Sequence, residues 1–349
     1  MTCLCLPHKV ADYACPINGL EDMYEWKTGT RLPGYFLMDF SMTGFMYIKQ
    51  KNAPCPRMVF WGSGTGLPQH KLLSDVMGYS YTFSENTAYS TAWKQVCESI
   101  DRGIPVILGL LDMYHLPYYP KMYHRMHIPQ HYVLLVGYDN DKQFAFVQDN
   151  GYPEVQTVPL SDLKEAWNVN NPGQGKKNTY CIVEFGNRIA SLEEIARQVL
   201  KKKANWMLNP PVGFMGIRGM RRLAADITNW EKDLSPEQMK RCLSDLVTFT
   251  CSVVPMPPQR LLPFTMNHID SHQAVRDRFS SALIDFGVQF NEPTWSEAAG
   301  YLAESGRLIS QLTDLFVDQL LESSFDLRPA SQLITRIAEK EENAYTMLK

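Results

Sequence analysis

The sequence predicts an α+β protein whose mixed first half is followed by an all-helical second half. Up to about residue 187, short β-branched and aromatic runs alternate with helical stretches, and beyond it strand signals nearly vanish while helix starts multiply. The chain has 349 residues, of which 45% are hydrophobic, so it can bury about two domain cores. We therefore expect one domain at residues 1–187 and a helical domain at residues 188–349.

The strands of the first half are expected in short runs that are rich in Val, Ile, Phe and Tyr. These runs are 57–61, 104–110, 131–138, 144–148 and 179–185. Because helical stretches lie between several of them, the first half is predicted to be α+β or mixed α/β.

Two capping boxes mark helix starts in the second half. Glu194 follows Ser191 by three residues, and Gln238 follows Ser235 by three, with Pro236 at the first helical position between them. An apolar stripe at helical spacing runs through Ile217, Met220, Ala224 and Ile227. These patterns predict amphipathic helices.

Charge and hydropathy exclude several classes of protein. The formal net charge of −3 gives no basic excess for nucleic acid. The first ten residues lack a signal-peptide pattern, and no stretch approaches the roughly 18 apolar residues of a membrane span. We therefore expect a cytoplasmic protein that binds neither nucleic acid nor membrane, and whose eight cysteines are free thiols.

The segment ADYACPINGLEDMYEW, residues 11–26, places Cys15 directly before a proline. Since proline is favoured at the first helical position, we expect Cys15 to cap a helix that starts at Pro16. Ile17, Leu20 and Tyr24 follow at helical spacing. Free N–H groups at a helix N-terminus favour a thiolate and, later, an oxyanion. Cys15 is then either a nucleophile or a buried small hydrophobe, and its partners decide between the two.

A partner pair is predicted in HYVLLVGYDNDKQFAFVQD, which begins at His131 and ends at Asp149. A cysteine nucleophile needs an imidazole to take its proton and a further polar group to orient that imidazole. Two neighbouring antiparallel strands joined at GYDND would bring His131 and Asp149 to one end of a sheet. The alternatives are a half-exposed histidine at a strand start and an aspartate that serves the following turn.

These residues resemble the family of butirosin biosynthesis protein H, whose N-terminal domain is an acyltransferase domain with a papain-like or C39-peptidase-like fold. The resemblance rests on Cys15, SMTGFMYI, GIPVILGLLDMYHLPYY, HYVLLVGYD, the strand ending at Asp149, and VPLSDLKEAW. The second half resembles the helical region that accompanies this domain, through GFMGIRGMRRLAADITNW and AAGYLAESGRLISQLTDLF.

The resemblance implies a catalytic site made of Cys15, His131 and Asp149. Cys15 would take an acyl group, of aminoacyl type, from a carrier-protein thioester and pass it to a small-molecule amine in antibiotic biosynthesis. The implied partners are an acyl carrier protein or another thioester donor, together with the amine acceptor. No cofactor is implied beyond the phosphopantetheine arm of a donor carrier protein.

The loop before His131, LDMYHLPYYPKMYHRMH, lies near the site in the resemblance. Four of its residues are expected to line an amine or acyl pocket, namely Asp112, Tyr114, Tyr118 and Tyr119. An acidic carrier protein would dock on Lys201, Lys202 and Lys203 with Arg218, Arg221 and Arg222, unless these charges form an ordinary solvated helix face.

The sequence departs from the papain pattern because no glutamine precedes Cys15. The backbone N–H of Cys15 is then one donor for an oxyanion, and the second is not identified, because Pro16 has no N–H. Metal-ligand spacing is present in His124, His127, His131, Cys3 and Cys5, but no CxxC pair or HExxH helix supports zinc, and we expect no metal.

Three alternatives to acyl transfer stay open at the level of sequence. A cyclase or an amide or thioester hydrolase would use the same residues, and the attacking group would decide between them. A non-catalytic binding scaffold would need none of the residues Cys15, His131 and Asp149. The acyl group, the acceptor and the oligomeric state, a homo-oligomer included, are likewise open.

Overall fold

The structure is a computed structural model that describes residues 1–10, 19–32, 44–53, 55–61, 66–171, 175–250, 271–322 and 325–349. The chain divides into two compact units, Met1–Ser41 with Gly64–Ile195, and Met42–Ser63 with Ala196–Lys349. The domains at 1–187 and 188–349 stay a prediction. The second unit takes a short stretch of the first half of the sequence as well as the helical half.

The described strands and helices follow one another along the chain in this order. The strands are β1 Thr2–Cys3, β2 Phe45–Lys49, β3 Arg57–Trp61, β4 Tyr79–Ser84, β5 Val106–Asp112, β6 Pro129–Asp139, β7 Phe144–Gln148, β8 Gln156–Pro159 and β9 Tyr180–Phe185. The helices are α1 Leu20–Thr28, α2 Gly66–Met77, α3 Tyr89–Asp101, α4 Leu160–Ala166, α5 Leu192–Leu208, α6 Gly216–Ile227, α7 Trp230–Asp233, α8 Pro236–Thr250, α9 Ser271–Gln289, α10 Pro293–Glu322 and α11 Arg328–Met347.

The first unit is built on an antiparallel sheet. Its described strands lie in the order β4-β9-β5-β6-β7-β8, and β1 pairs with the end of β6. Every residue of β5 is buried, which fits a central strand covered on both faces. Leu108, Val133 and Val147 from three neighbouring strands join the core around Trp167, whose indole N–H donates to the carbonyl of Thr179 at 2.7 Å. The mixed α/β character predicted for this half is confirmed; the papain-like fold stays a prediction.

Several strands differ from the sequence prediction. The run at 104–110 forms a strand only from Val106, because Pro105 has no N–H to donate to a ladder. The strands β1, β2, β4 and β8 were not predicted. β1, β2 and β8 are two to five residues long and lack the alternation of apolar and polar residues that makes a strand recognisable. β4, YSYTFS, does alternate aromatic and polar residues, so its sequence carries a strand signal that the prediction omits.

The second unit consists of helices and the β2-β3 hairpin, so the predicted helical second half is confirmed. The carboxylate of Asp226, on α6, links the β2-β3 hairpin to α6 and α7 through hydrogen bonds. It accepts hydrogen bonds from Tyr47, Lys49 and Arg57 of the hairpin and from Trp230 of α7. These bonds satisfy a carboxylate that a helix surface would otherwise present to water.

The predicted capping boxes are present at α5 and α8. The backbone N–H of Ser191 donates to Glu194 at 2.8 Å, and the N–H of Glu194 returns to the Ser191 hydroxyl at 3.3 Å. Ser235 and Gln238 make the same reciprocal bonds at 3.1 and 3.3 Å. The predicted stripe on α6 is buried at Ile217, Met220, Ala224 and Ile227.

None of the helices in the described ranges combines the length and the apolar character needed to cross a lipid bilayer.

Candidate active site

His131 and Asp149 meet at one end of the antiparallel pair β6-β7. Leu134 of β6 lies opposite Gln148, the last residue of β7, so His131 and Asp149 project from the same end of the two strands. The Nε2 atom of His131 lies 2.7 Å from Oδ2 of Asp149. Both side chains are buried, with 8% of His131 and none of Asp149 exposed. The structure therefore brings together the pair that the hairpin spacing predicts.

The carboxylate of Asp149 is held by donors on both oxygens. Oδ2 accepts from His131 and from the Tyr118 hydroxyl at 2.8 Å, and Oδ1 accepts from the Tyr119 hydroxyl at 3.0 Å and from the backbone N–H of Gly151 at 3.2 Å. A buried carboxylate that is fully hydrogen-bonded keeps one orientation. The aspartate is thus more than a turn residue, although the Gly151 contact also serves the turn.

The environment of Asp149 favours its ionised form. Burial raises the pKa of Asp149, but the charge of His131 and the hydrogen bonds from His131, Tyr118 and Gly151 lower it below the usual value of 3.8 overall. Burial and the charge of Asp149 raise the pKa of Tyr118 well above 10, so its hydroxyl remains a donor.

The Asp149 contact determines which ring nitrogen of His131 carries a proton in the neutral ring. Because Asp149 accepts at Nε2, that nitrogen holds the hydrogen, and Nδ1 holds the lone pair. Nδ1 is consequently the atom that can exchange a proton with a nucleophile. This is the tautomer that a base oriented by a carboxylate needs.

Cys15, the predicted nucleophile, lies in 11–18, outside the described residues. The described helix that carries Leu20 and Tyr24 begins at Leu20, not at Pro16. Gly19 precedes it with φ 84°, a left-handed conformation outside the α-helical region. The expectation that one continuous helix runs from Pro16 through Tyr24 is therefore wrong.

Asp112 and Tyr114 lie at the end of β5, where they organise the loop that leads to His131. The Asp112 carboxylate accepts from the N–H groups of Tyr114 at 3.1 Å and Ile128 at 2.9 Å, and its other oxygen lies 2.6 Å from Nδ1 of His127. The His127 ring stacks on Tyr114 at a centroid distance of 4.1 Å. Substrate binding by Asp112, Tyr114, Tyr118 and Tyr119 stays a prediction, and the hydroxyls of the last two are already hydrogen-bonded to Asp149.

Two residues beside the pair were missed in the sequence. His8 lies against the main chain of Asp149, and the hydroxyl of Tyr152 donates to the carbonyl of Tyr118 at 2.6 Å. Nothing in the local sequence marks either residue, because the contacts of His8 join positions 141 and 144 residues apart. Only the fold brings them to the site.

Two family models match the chain. Residues 14–150 match the one described as butirosin biosynthesis protein H, N-terminal. The predicted family resemblance is confirmed over this region. The match starts next to Cys15 and ends next to Asp149, so it spans all three predicted catalytic residues. Residues 161–251 match a second model, a domain of unknown function named DUF4872. A comparison with curated proteins gave no match.

Two further parts of the sequence analysis concern a metal site and a cationic cluster. No group of three His, Cys, Asp or Glu side chains is arranged for a metal within the described residues. In the cationic cluster, Lys203 is buried with its ammonium 4.9 Å from the Phe279 ring, and Arg221 is paired with Glu342. These two residues therefore pack within the second unit, and carrier docking there stays a prediction.

Proposed function

We propose that this protein is a cysteine-dependent acyltransferase of antibiotic biosynthesis. Cys15 is the nucleophile, Nδ1 of His131 exchanges the proton, and Asp149 orients His131. The observation that carries the proposal is the buried pair of His131 and Asp149, joined at 2.7 Å through Nε2. A carboxylate held by this many donors has a clear use in fixing a catalytic imidazole and in stabilising its charged form. The match to the butirosin biosynthesis protein H model over 14–150 supports the reaction class.

The chain on both sides of Cys15 is attached close to the pair. Gly19 lies so near β6 that a methyl group on it would stand 2.5 Å from the Leu134 side chain, three residues along the strand from His131. Four peptide units separate Gly19 from Cys15 and span at most about 14 Å. On the other side, His8 contacts the carbonyl of Asp149 at 3.2 Å. The chain is thus long enough for Cys15 to reach His131, and the contact between the two is part of the proposal.

The reaction proceeds in two balanced steps. The Cys15 thiolate attacks the thioester carbonyl, the bond between that carbon and the donor sulfur breaks, and the donor thiol leaves with the proton from His131. An amine then attacks the acyl-cysteine, gives its proton to His131, and releases the Cys15 thiolate. The backbone N–H of Cys15 is one donor to the oxyanion formed in each step.

The test is to trap the acyl-enzyme on the full chain. N-acetylcysteamine thioesters of aminoacyl and simple acyl groups, and the same groups on a carrier protein, are offered without an amine. The mass should rise by one acyl unit, because the intermediate has no attacker. The adduct should map to Cys15 and discharge when an amine acceptor is added.

Variants separate the roles in this experiment. The adduct should be absent in Cys15→Ala, form far more slowly in His131→Ala, and be unaffected in the matched control Cys5→Ala, which removes an exposed thiol. Equally fast discharge in water alone would make the protein a hydrolase. A folded protein that binds the donors but gives neither an adduct nor turnover would be a scaffold, and either result would overturn the proposal.

A further inference from the structure

His8 joins three separate parts of the first unit. Its Nδ1 lies 2.6 Å from Oδ2 of Asp22 on α1, and its Nε2 lies 2.9 Å from the carbonyl oxygen of Tyr152 and 3.2 Å from that of Asp149. Only 6% of the His8 side chain is exposed. The ring therefore links the N-terminal segment, α1 and the turn that follows β7.

Every partner of the His8 ring is an acceptor. A carbonyl oxygen cannot donate, and the Asp22 carboxylate already accepts from Arg31 at 2.7 Å on its other oxygen. Both ring nitrogens must then carry hydrogen, which makes His8 an imidazolium cation. Arg31 also pairs with Glu25 at 2.7 Å, and the groups facing His8 are two carbonyls and the Asp22 carboxylate, whose other oxygen Arg31 holds.

The electrostatics of this cluster agree with the geometry. Burial lowers the pKa of His8, but the hydrogen bond and charge of Asp22, with the contacts to Tyr152 and Asp149, raise it above 6.5 overall. A histidine with a raised pKa contributes its interactions below 6.5, and they are lost as the pH rises through the raised value.

The contacts of His8 belong to a closed cycle of hydrogen bonds that includes Asp149. His8 holds the carbonyl of Tyr152, the Tyr152 hydroxyl donates to the carbonyl of Tyr118, and the Tyr118 hydroxyl donates to Asp149. His8 also holds the carbonyl of Asp149 itself. The main chain of Asp149 is thus fixed on one side by His8, while its side chain is fixed on the other by His131.

We propose that His8 is a positioning residue, whose imidazolium fixes the turn from Asp149 to Tyr152 and thereby the direction in which the Asp149 carboxylate faces His131. The proposal rests on the proposed function for the reaction that it serves. The positioning of the His131–Asp149 pair by His8 does not depend on which reaction the site performs.

The first test uses the unmodified protein labelled with ¹⁵N at histidine. Both ring nitrogens of His8 should be protonated at pH 6.5. The Nε2–H proton of His131 should exchange slowly with water and therefore give an observable signal. As the pH rises through the His8 transition, the His131 signal should shift or broaden with it. A neutral His8 at pH 6.5, or a His131 signal that ignores the His8 transition, would overturn the proposal.

The second test uses His8→Gln, which retains one donor nitrogen but loses the charge and replaces the second donor nitrogen by an acceptor oxygen. At saturating thioester, the rate constant for acyl loading should fall about 10- to 100-fold, with little change in the half-saturating concentration. A misplaced His131–Asp149 pair raises the barrier to the reaction but does not change how the thioester binds. The His131 Nε2–H signal should weaken in the same variant. Asp22→Asn, which leaves the ring in place but removes its anionic partner, should act in the same direction and serves if His8→Gln does not fold.

His127→Gln is the matched control, because His127 makes an equally short contact of 2.6 Å with Asp112 but does not touch the main chain of Asp149. It should leave the His131 signal in place. Loss of unfolding free energy in His8→Gln with the His131 signal and the loading rate constant unchanged would reduce His8 to a structural residue. If the unmodified protein loads no acyl group but the His131 signal still follows His8, the proposed function fails and the positioning role stands.

Discussion

At the scale of single residues, Asp149 is the group on which the site depends. Its two oxygens accept from two tyrosine hydroxyls, one backbone N–H and one imidazole, all without exposure to solvent. An ionised carboxylate is acceptor-only, which matches a surrounding made only of donors. An asparagine of the same shape would direct an NH₂ group at one or more of these donors.

Asp149→Asn should therefore slow acyl transfer by about 10- to 10⁴-fold while the protein remains folded, by analogy with the third member of a catalytic triad. The loss should appear in kcat. Asp162→Asn is the matched control, since that carboxylate accepts the Tyr123 hydroxyl at 3.2 Å but does not contact His131. Steady-state kinetics with circular dichroism measures both. A folded Asp149→Asn variant at full speed would remove Asp149 from the site.

At the scale of elements, Gly19, the residue that precedes α1, lies against β6. Gly19 has φ 84°, and a methyl group there would stand 2.5 Å from the Leu134 side chain. Gly29 ends the same helix with φ 72°, and nothing lies within 4 Å of its missing methyl group. The two glycines have similar backbone conformations but differ in what surrounds them.

Gly19→Ala and Gly29→Ala separate conformation from contact. Each should lose about 1–2 kcal/mol of unfolding free energy from the left-handed backbone. Gly19→Ala should lose more unfolding free energy, because its methyl group overlaps Leu134. Only this variant should slow the labelling of Cys15, because it would shift the chain that leads into α1. Urea unfolding and peptide mapping measure the two effects. Equal loss in both variants, with Cys15 labelling unchanged, would separate α1 from the site.

Secondary structure was predictable where its signal is local. The strands at 57–61, 144–148 and 179–185 agree with β3, β7 and β9 to within a residue, because dense β-branched and aromatic runs mark them. The juxtaposition of His131 and Asp149 was also predictable, since one hairpin connects them. The helix start predicted at Pro16 lies outside the described residues; only its continuation through position 19 is wrong, because Gly19 is left-handed and the described helix begins at Leu20.

At the scale of the whole molecule, the features that the sequence could not reveal are those that join distant parts of the chain. The β2-β3 hairpin belongs to the second unit through Asp226, which lies 169 residues from Arg57 and 179 from Tyr47. His8 and Asp149, which are in contact, likewise lie 141 residues apart in the sequence. Pattern analysis measures periodicity within short windows, so it predicts elements and hairpins but not such long-range contacts.

The central claim is that Cys15 works with the buried pair of His131 and Asp149. Its most direct test is the rate at which Cys15 reacts with limiting iodoacetamide at mildly acidic pH, mapped peptide by peptide. The solvent-accessible thiols of Cys3 and Cys5 are internal standards; partial desolvation and the neighbouring Cys5 raise the pKa of Cys3. Cys15 should react before every other cysteine, and His131→Ala should abolish that lead, because the imidazolium stabilises the thiolate. Labelling of Cys15 no faster than that of Cys3 and Cys5, or a lead that persists in His131→Ala, would contradict the claim.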